Sequence, residues 1–144
     1  MNKDNKKALY AGSFNPFHNG HYQILLKALN LFDEVYLLVA QNPNKPKNDI
    51  IENINLIKEK TKGLKNLYVL EPYENILTAE VAQKLKITYL IRSARNNLDF
   101  QYELELASLN KGFNPTLETI IIIPDEEYVK YSSSQLQKIK EQNV

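Results

Sequence analysis

The stretch Gly12-Ser13-Phe14-Asn15-Pro16-Phe17-His18-Asn19-Gly20-His21 joins two segments of different periodicity, and that junction decides how the fold is read. Before it, Lys7 to Gly12 is short and nearly continuous in apolar character, as a strand buried on both faces must be. After it, Ile24, Leu25, Ala28, Leu29 and Phe32 recur at helical spacing. A strand, a tight loop and a helix start thus follow one another. The unpaired N–H groups of a helix start attract an anion, aided by the positive end of the dipole, and glycine at positions 12 and 20 permits close backbone approach. His18 and His21 are the only histidines in the chain, and their spacing lets both project toward one spot. There an imidazole N–H can donate to a phosphoryl oxygen, and Ser13 can add a hydroxyl from the strand end. The blander alternative is that the two histidines only cap the helix. A zinc site would need a third and a fourth ligand, which the local sequence, without cysteine or further histidine, does not offer.

Outward from this junction the switch of periodicity repeats. Glu34 to Ala40, Asn66 to Leu70, Thr88 to Arg92 and Leu117 to Ile123 read as further strands. Helical patterns lie at about His21 to Phe32, Ile50 to Lys62, Asn75 to Leu85 and Leu98 to Asn110, with a last helix from about Ser133 to Gln142. This alternation predicts an α/β fold: a five-stranded parallel sheet with helices on both faces. Asp49 followed by Glu52 resembles a capping box, Gly63 is placed to end that helix, and Gly112 with Pro115 separates the fourth helix from the fifth strand. The proline-broken stretch Asn42 to Asn48 reads as a loop. Ligands of such sheets gather outside the carboxyl ends of the strands, so the functional residues are expected there.

A chain of 144 residues without repeats or linkers fits a single domain, 1–144. The net charge of +1 provides no bulk attraction to nucleic acid or an anionic membrane, so neither is expected as a partner and anion binding must be local. The lack of cysteine excludes disulfides and thiolate chemistry and agrees with a reducing compartment. No apolar run approaches the ~20 residues of a membrane span, and a cytoplasmic protein is expected.

Two more segments carry chemistry. After the fourth strand, Arg92-Ser93-Ala94-Arg95 leads into Asp99-Phe100-Gln101-Tyr102-Glu103, which puts two arginines beside a strand's carboxyl end, where they can give bidentate hydrogen bonds to phosphate. Near the last helix, Tyr128-Val129-Lys130-Tyr131-Ser132-Ser133-Ser134 places serines where they cap a helix or meet an anion.

The ten residues from Gly12 to His21 resemble the signature of the H-x-G-H nucleotidyltransferases, which have a Rossmann-like fold. The Arg92 to Glu103 segment resembles the R-G-x-R-x-x-x-D-F-x-Y-E block of the phosphopantetheine adenylyltransferase family, and Tyr128 to Ser134 its W-x-x-I-S-S-[ST] turn. Asn15 and Ser93 stand where that family usually has aspartate and glycine, and the usual arginine after the capping glutamate is absent. The resemblance implies adenylyl transfer from ATP to 4'-phosphopantetheine, giving dephospho-coenzyme A and pyrophosphate, with Mg2+ entering with ATP. It implies roles for Ser13, Lys45, Thr78 and Arg92 at the acceptor, and for Ser13, Phe14, His18, His21, Ser93, Ala94, Arg95, Glu103 and the run Tyr128, Val129, Lys130, Tyr131, Ser132, Ser133 and Ser134 at ATP. His21 is the implied transition-state stabiliser, and Ser13 and Lys45 hold the attacking phosphate. A homo-oligomer is also implied, a hexamer in the family. The alternatives are a nicotinate-mononucleotide adenylyltransferase, which the Gly12 to His18 stretch suits equally well, and a catalytically silent nucleotide-binding protein of the same fold.

Overall fold

In chain order the elements are β1 (Lys7–Gly12), α1 (Asn19–Leu31), β2 (Glu34–Val39), α2 (Lys47–Lys60), β3 (Leu67–Val69), α3 (Thr78–Lys84), β4 (Tyr89–Ser93), α4 (Asn97–Phe113) and β5 (Glu118–Ile122). They come from a computed structural model that describes residues 5–40 and 47–125 together with residue 141. The strands pair in parallel in the order β3-β2-β1-β4-β5, so the chain steps outward from β1 in one direction and then restarts on its other side. All five expected strands are present within a residue or two of their expected limits. The helix expected from Ser133 to Gln142 lies outside the described residues except for position 141.

Two-sided burial explains the apolar strands. Along β1, Ala8 and Tyr10 join one core cluster with Ile24, Leu25 and Ala28 of α1 and Ile54 and Ile57 of α2. Leu9 and Ala11 point the other way, into a second cluster with Ala79, Val81 and Ala82 of α3. Alternation along a single strand thus feeds a helical layer on each face. Side chains such as Leu9, Leu37 and Ile91, fully buried, each contribute roughly 1.5–3 kcal/mol by leaving water.

Helix limits follow local chemistry, with some departures from expectation. Asp49 lies inside the first turn of α2, where the macrodipole favours its charge, and does not cap the helix. Past α2, Gly63 has φ +92, a conformation open to glycine at little cost, and the helix ends before it as expected. α3 starts at Thr78, three residues later than the pattern indicates, because Asn75 turns the chain with φ +52. α4 runs through Gly112 and ends at buried Asn114, whose amide donates to the Ala79 carbonyl and whose side-chain oxygen accepts from Thr116. An asparagine anchored to α3, and not the glycine, ends this helix.

Candidate active site

The restart of the sheet at β1 and β4 opens a crevice. These strands pair only from Ala8↔Tyr89 to Tyr10↔Ile91, while β1 continues to pair with β2 as far as Gly12↔Val39. Beyond Tyr10 the Ala11 carbonyl instead accepts from Arg92 Nη1 at 2.6 Å, so a guanidinium spans the gap that the backbones leave. This is the switch point at which open α/β sheets take ligands.

The loop after β1 enters α1 through its two histidines. His18 is the N-cap: its Nδ1 accepts from the Gly20 N–H at 3.0 Å, and its own N–H donates to His21 Nδ1 at 3.1 Å. An imidazole nitrogen that accepts carries no proton, so both neutral rings hold their proton on Nε2 and present an N–H donor there. The rings stack with centroids 3.8 Å apart, and His21 also meets Phe14 and Phe17. Burial, followed by the nearby His18 and Arg95, pushes the His21 pKa down to about 4, which keeps a neutral donor at neutral pH. The capping bonds thus leave on each ring an Nε2–H donor of the kind that can meet a phosphoryl oxygen.

The loop is held from below. Phe14, at φ +46, buries its ring edge-on to Tyr10 and Phe17. From α2, Asn53 Nδ2 donates to the Ser13 carbonyl at 3.1 Å and Lys60 Nζ to the Phe17 carbonyl at 2.9 Å. The buried Phe14 ring supports His21, and Phe14 borders a small cleft that also holds Ser13 and His21. Ala94 is likewise buried.

Three adjoining clefts receive the remaining residues. The largest, about 350 Å3, is bordered by His18 and His21 on α1, Ser93 and Arg95 after β4, Glu103 on α4, and Pro124. A second, about 270 Å3, is bordered by Ser13, Thr78, Arg92 and Asn110. A smaller one between them shares Ser13, His21, Arg92, Ser93 and Glu103. The residues expected at ATP and those expected at the acceptor thus fall on opposite sides of Ser13 and His21. Lys45 and the run Tyr128 to Ser134 lie outside the described residues.

Arg92 and Glu103 form a bidentate pair, Nε–Oε1 2.7 Å and Nη2–Oε2 2.9 Å, with side chains only 18% and 7% exposed. Each Glu103 oxygen accepts one of these bonds, so Glu103 holds Arg92 while it borders the largest cleft. With Ala11 also bonded, Arg92 still has, among the described residues, one N–H on each terminal nitrogen open to a ligand. Arg95 is more open: among the described residues its guanidinium is engaged only at Nε, by Asp99 at 3.2 Å. Among the described residues no group of three His, Asp or Glu could hold a metal ion. No helix among them is long and apolar enough to cross a membrane.

Sequence reasoning missed Asp99, Tyr102, Leu106, Asn110 and Pro124, all of which border the clefts. Asn110 had a signal. It is a polar residue two helical turns from Glu103 on the buried stripe of α4, and a buried amide asks for a partner.

A family model described as cytidylyltransferase-like matches residues 9–139. The chain is 39% identical over 136 residues to a phosphopantetheine adenylyltransferase of Mycoplasma mycoides subsp. mycoides SC, covering 94% of this chain and 96% of that protein. It is 39% identical over 133 residues to one of Caldanaerobacter subterraneus subsp. tengcongensis, covering 92% and 82%. Among solved structures, a putative nicotinate-nucleotide adenylyltransferase from Vibrio parahaemolyticus superposes with a TM-score of 0.61 at 15% identity, over 96% of this chain and 82% of that one, a likeness of fold alone.

Proposed function

The chain belongs to the phosphopantetheine adenylyltransferase family, within the cytidylyltransferase-like nucleotidyltransferases, and from that membership we propose how its crevice works. The enzyme transfers the adenylyl group of ATP to 4'-phosphopantetheine, giving dephospho-coenzyme A and pyrophosphate, a step of coenzyme A biosynthesis. The observation that carries the assignment of residues is that Ser13 and His21 meet in the small middle cleft, from which His21 also borders the cleft bearing Arg95 and Ser13 the cleft bearing Arg92 and Thr78.

ATP enters beside His18, His21, Ser93 and Arg95, and the acceptor beside Ser13, Thr78 and Arg92. Lys45 and the Tyr128 to Ser134 run complete the two sites in this reading. The acceptor phosphate attacks the α-phosphorus of ATP, the P–O bond to the β-phosphate breaks, and pyrophosphate leaves with the electron pair. A phosphate monoester is already anionic near neutral pH, so the reaction requires no general base and no enzyme nucleophile. Catalysis is positioning and charge stabilisation. The His21 Nε2–H donates to the charge that develops on the α-phosphoryl group, while the free N–H groups of Arg92 and the Ser13 hydroxyl hold the nucleophile. The Asn110 amide, which makes no hydrogen bond among the described residues, suits an amide of the pantetheine arm. Mg2+ carried in with ATP would supply positive charge to offset that of the phosphates. The carboxylates bordering the cleft, Asp99 and Glu103, are each paired with an arginine, so ATP and water would provide the ion's ligands.

The reading places the protein in the cytoplasm, as a homo-oligomer. Leu98, Tyr102, Leu109 and Phe113 form an exposed stripe along α4 suited to cover by a second copy. The test of function is pyrophosphate release by purified protein given ATP, Mg2+ and, separately, 4'-phosphopantetheine, nicotinate mononucleotide and glycerol 3-phosphate. Release with 4'-phosphopantetheine is expected; a clear preference for nicotinate mononucleotide, or no release at all, would overturn the reading.

A further inference from the structure

Among the described residues β5 is an edge strand, hydrogen-bonded only to β4, and its ladder stops at Ser93↔Ile122. The next three residues, Ile123, Pro124 and Asp125, leave the sheet without ladder bonds, and Pro124 has no N–H to offer. They are nevertheless held by two side chains one turn apart on α1. Lys27 Nζ donates to the Ile123 carbonyl at 3.1 Å and to Asp125 Oδ1 at 2.7 Å. The Gln23 side-chain oxygen accepts from the Asp125 N–H at 2.8 Å, and its amide nitrogen donates to Asp125 Oδ2. Between the tethered ends sits Pro124, buried, which forms the β5 edge of the large cleft.

We infer that Gln23 and Lys27 are positioning residues for the nucleotide: they dock the Ile123–Asp125 exit of β5 on the helix that carries His21 and so set the shape of the ATP-side cleft. The inference rests on the reading that this cleft takes ATP. Its physical basis is that His21, Ile24 and Pro124 border one space, yet Pro124 reaches it from a strand with no sheet partner on that side. Among the described residues, hydrogen bonds tie it to the histidines through α1 alone. The Lys27–Asp125 pair is solvent-accessible, with side chains 34% and 56% exposed, and such pairs add little to folding stability. What the group of contacts specifies is the location of Pro124. Gln23 makes that location specific, because its amide must present oxygen to a backbone N–H and nitrogen to a carboxylate at once.

The test uses Gln23→Met, Lys27→Met, the double variant and Lys27→Arg, assayed by isothermal titration with Mg-ATP, by steady-state kinetics in both substrates and by thermal unfolding. The double variant is expected to raise the ATP Kd and the ATP KM by about tenfold, with kcat and the KM for 4'-phosphopantetheine within about twofold of wild type. Lys27→Arg, which can still reach both oxygens, should restore ATP binding. A lowered Tm with unchanged ATP Kd would overturn the inference, as would equal increases in the KM of both substrates. Gln23→Met keeps the ion pair and remains decisive if the double variant does not fold. The direct ATP titration separates this inference from the acceptor assignment. Wild-type protein that binds ATP but adenylylates no 4'-phosphopantetheine defeats the acceptor assignment and leaves the Kd comparison to decide the inference, whereas wild-type protein that binds no ATP defeats both.

Discussion

At the scale of single residues, His21 carries the most specific expectation. Its Nδ1 is occupied by the His18 N–H, so the only donor it can offer a ligand is Nε2–H. If that donor meets charge developing on the α-phosphoryl group, His21→Ala lowers kcat by roughly a hundredfold while ATP affinity changes much less, the usual consequence of losing one preorganised donor worth ~3 kcal/mol. A structural cap alone would cost about 1 kcal/mol of stability and leave turnover of the folded fraction near normal. Turnover and melting measured on one preparation separate the two. The same side chain gives a pH signature. Its pKa is near 6.5 in the unfolded chain and about 4 when folded, so between these values the unfolded state binds more protons. The stability it contributes is fully present above about pH 6.5 and is lost as pH falls toward 4. Unfolding of wild type measured from pH 7 to 4 should show this loss, and His21→Ala should show a shallower slope.

At the scale of elements, α2 serves the loop after β1 without lining the cleft of His18, His21 and Arg95. Its Asn53 and Lys60 hold the Ser13 and Phe17 carbonyls, two ends of the loop that delivers His18. The absence of the family's arginine after Glu52 has a structural counterpart here, since Asn53 stands at that place and bonds the loop. The end of α2 is a matter of backbone alone. Nothing lies within 4 Å of a Cβ added at Gly63, so the only penalty at that position is conformational. Gly63→Ala is therefore expected to lower stability by about 1 kcal/mol through its positive φ, with ATP kinetics unchanged. Denaturant unfolding alongside the kinetic assay checks this, and unchanged stability would count against the conformational account.

At the scale of the whole molecule, the α4 stripe bears on assembly. Leu98, Leu109 and Phe113 are 77%, 62% and 61% exposed, an unusual cost for a monomer to keep along one helix. Sedimentation should find the wild-type chain as an oligomer, and Leu109→Glu should shift it toward monomer; a monomeric wild type would reject that use of the stripe. The sequence by itself determined the order of strands and helices, the parallel sheet and the junction at Gly12 to His21, because burial on two faces and helix-start chemistry are local and leave periodic or short contiguous marks. The family resemblance could further name Arg92, Arg95 and Glu103 from one contiguous block. Only the tertiary structure decided that Glu103 pairs with Arg92, that Arg92 closes the gap at Ala11, and that Asn110 borders one cleft with Thr78 and Arg92. It alone joined Gln23 to Asp125 across 102 residues. Such pairings depend on where separate elements come to rest against one another, and a side chain's partner across the fold leaves no periodic trace in the chain.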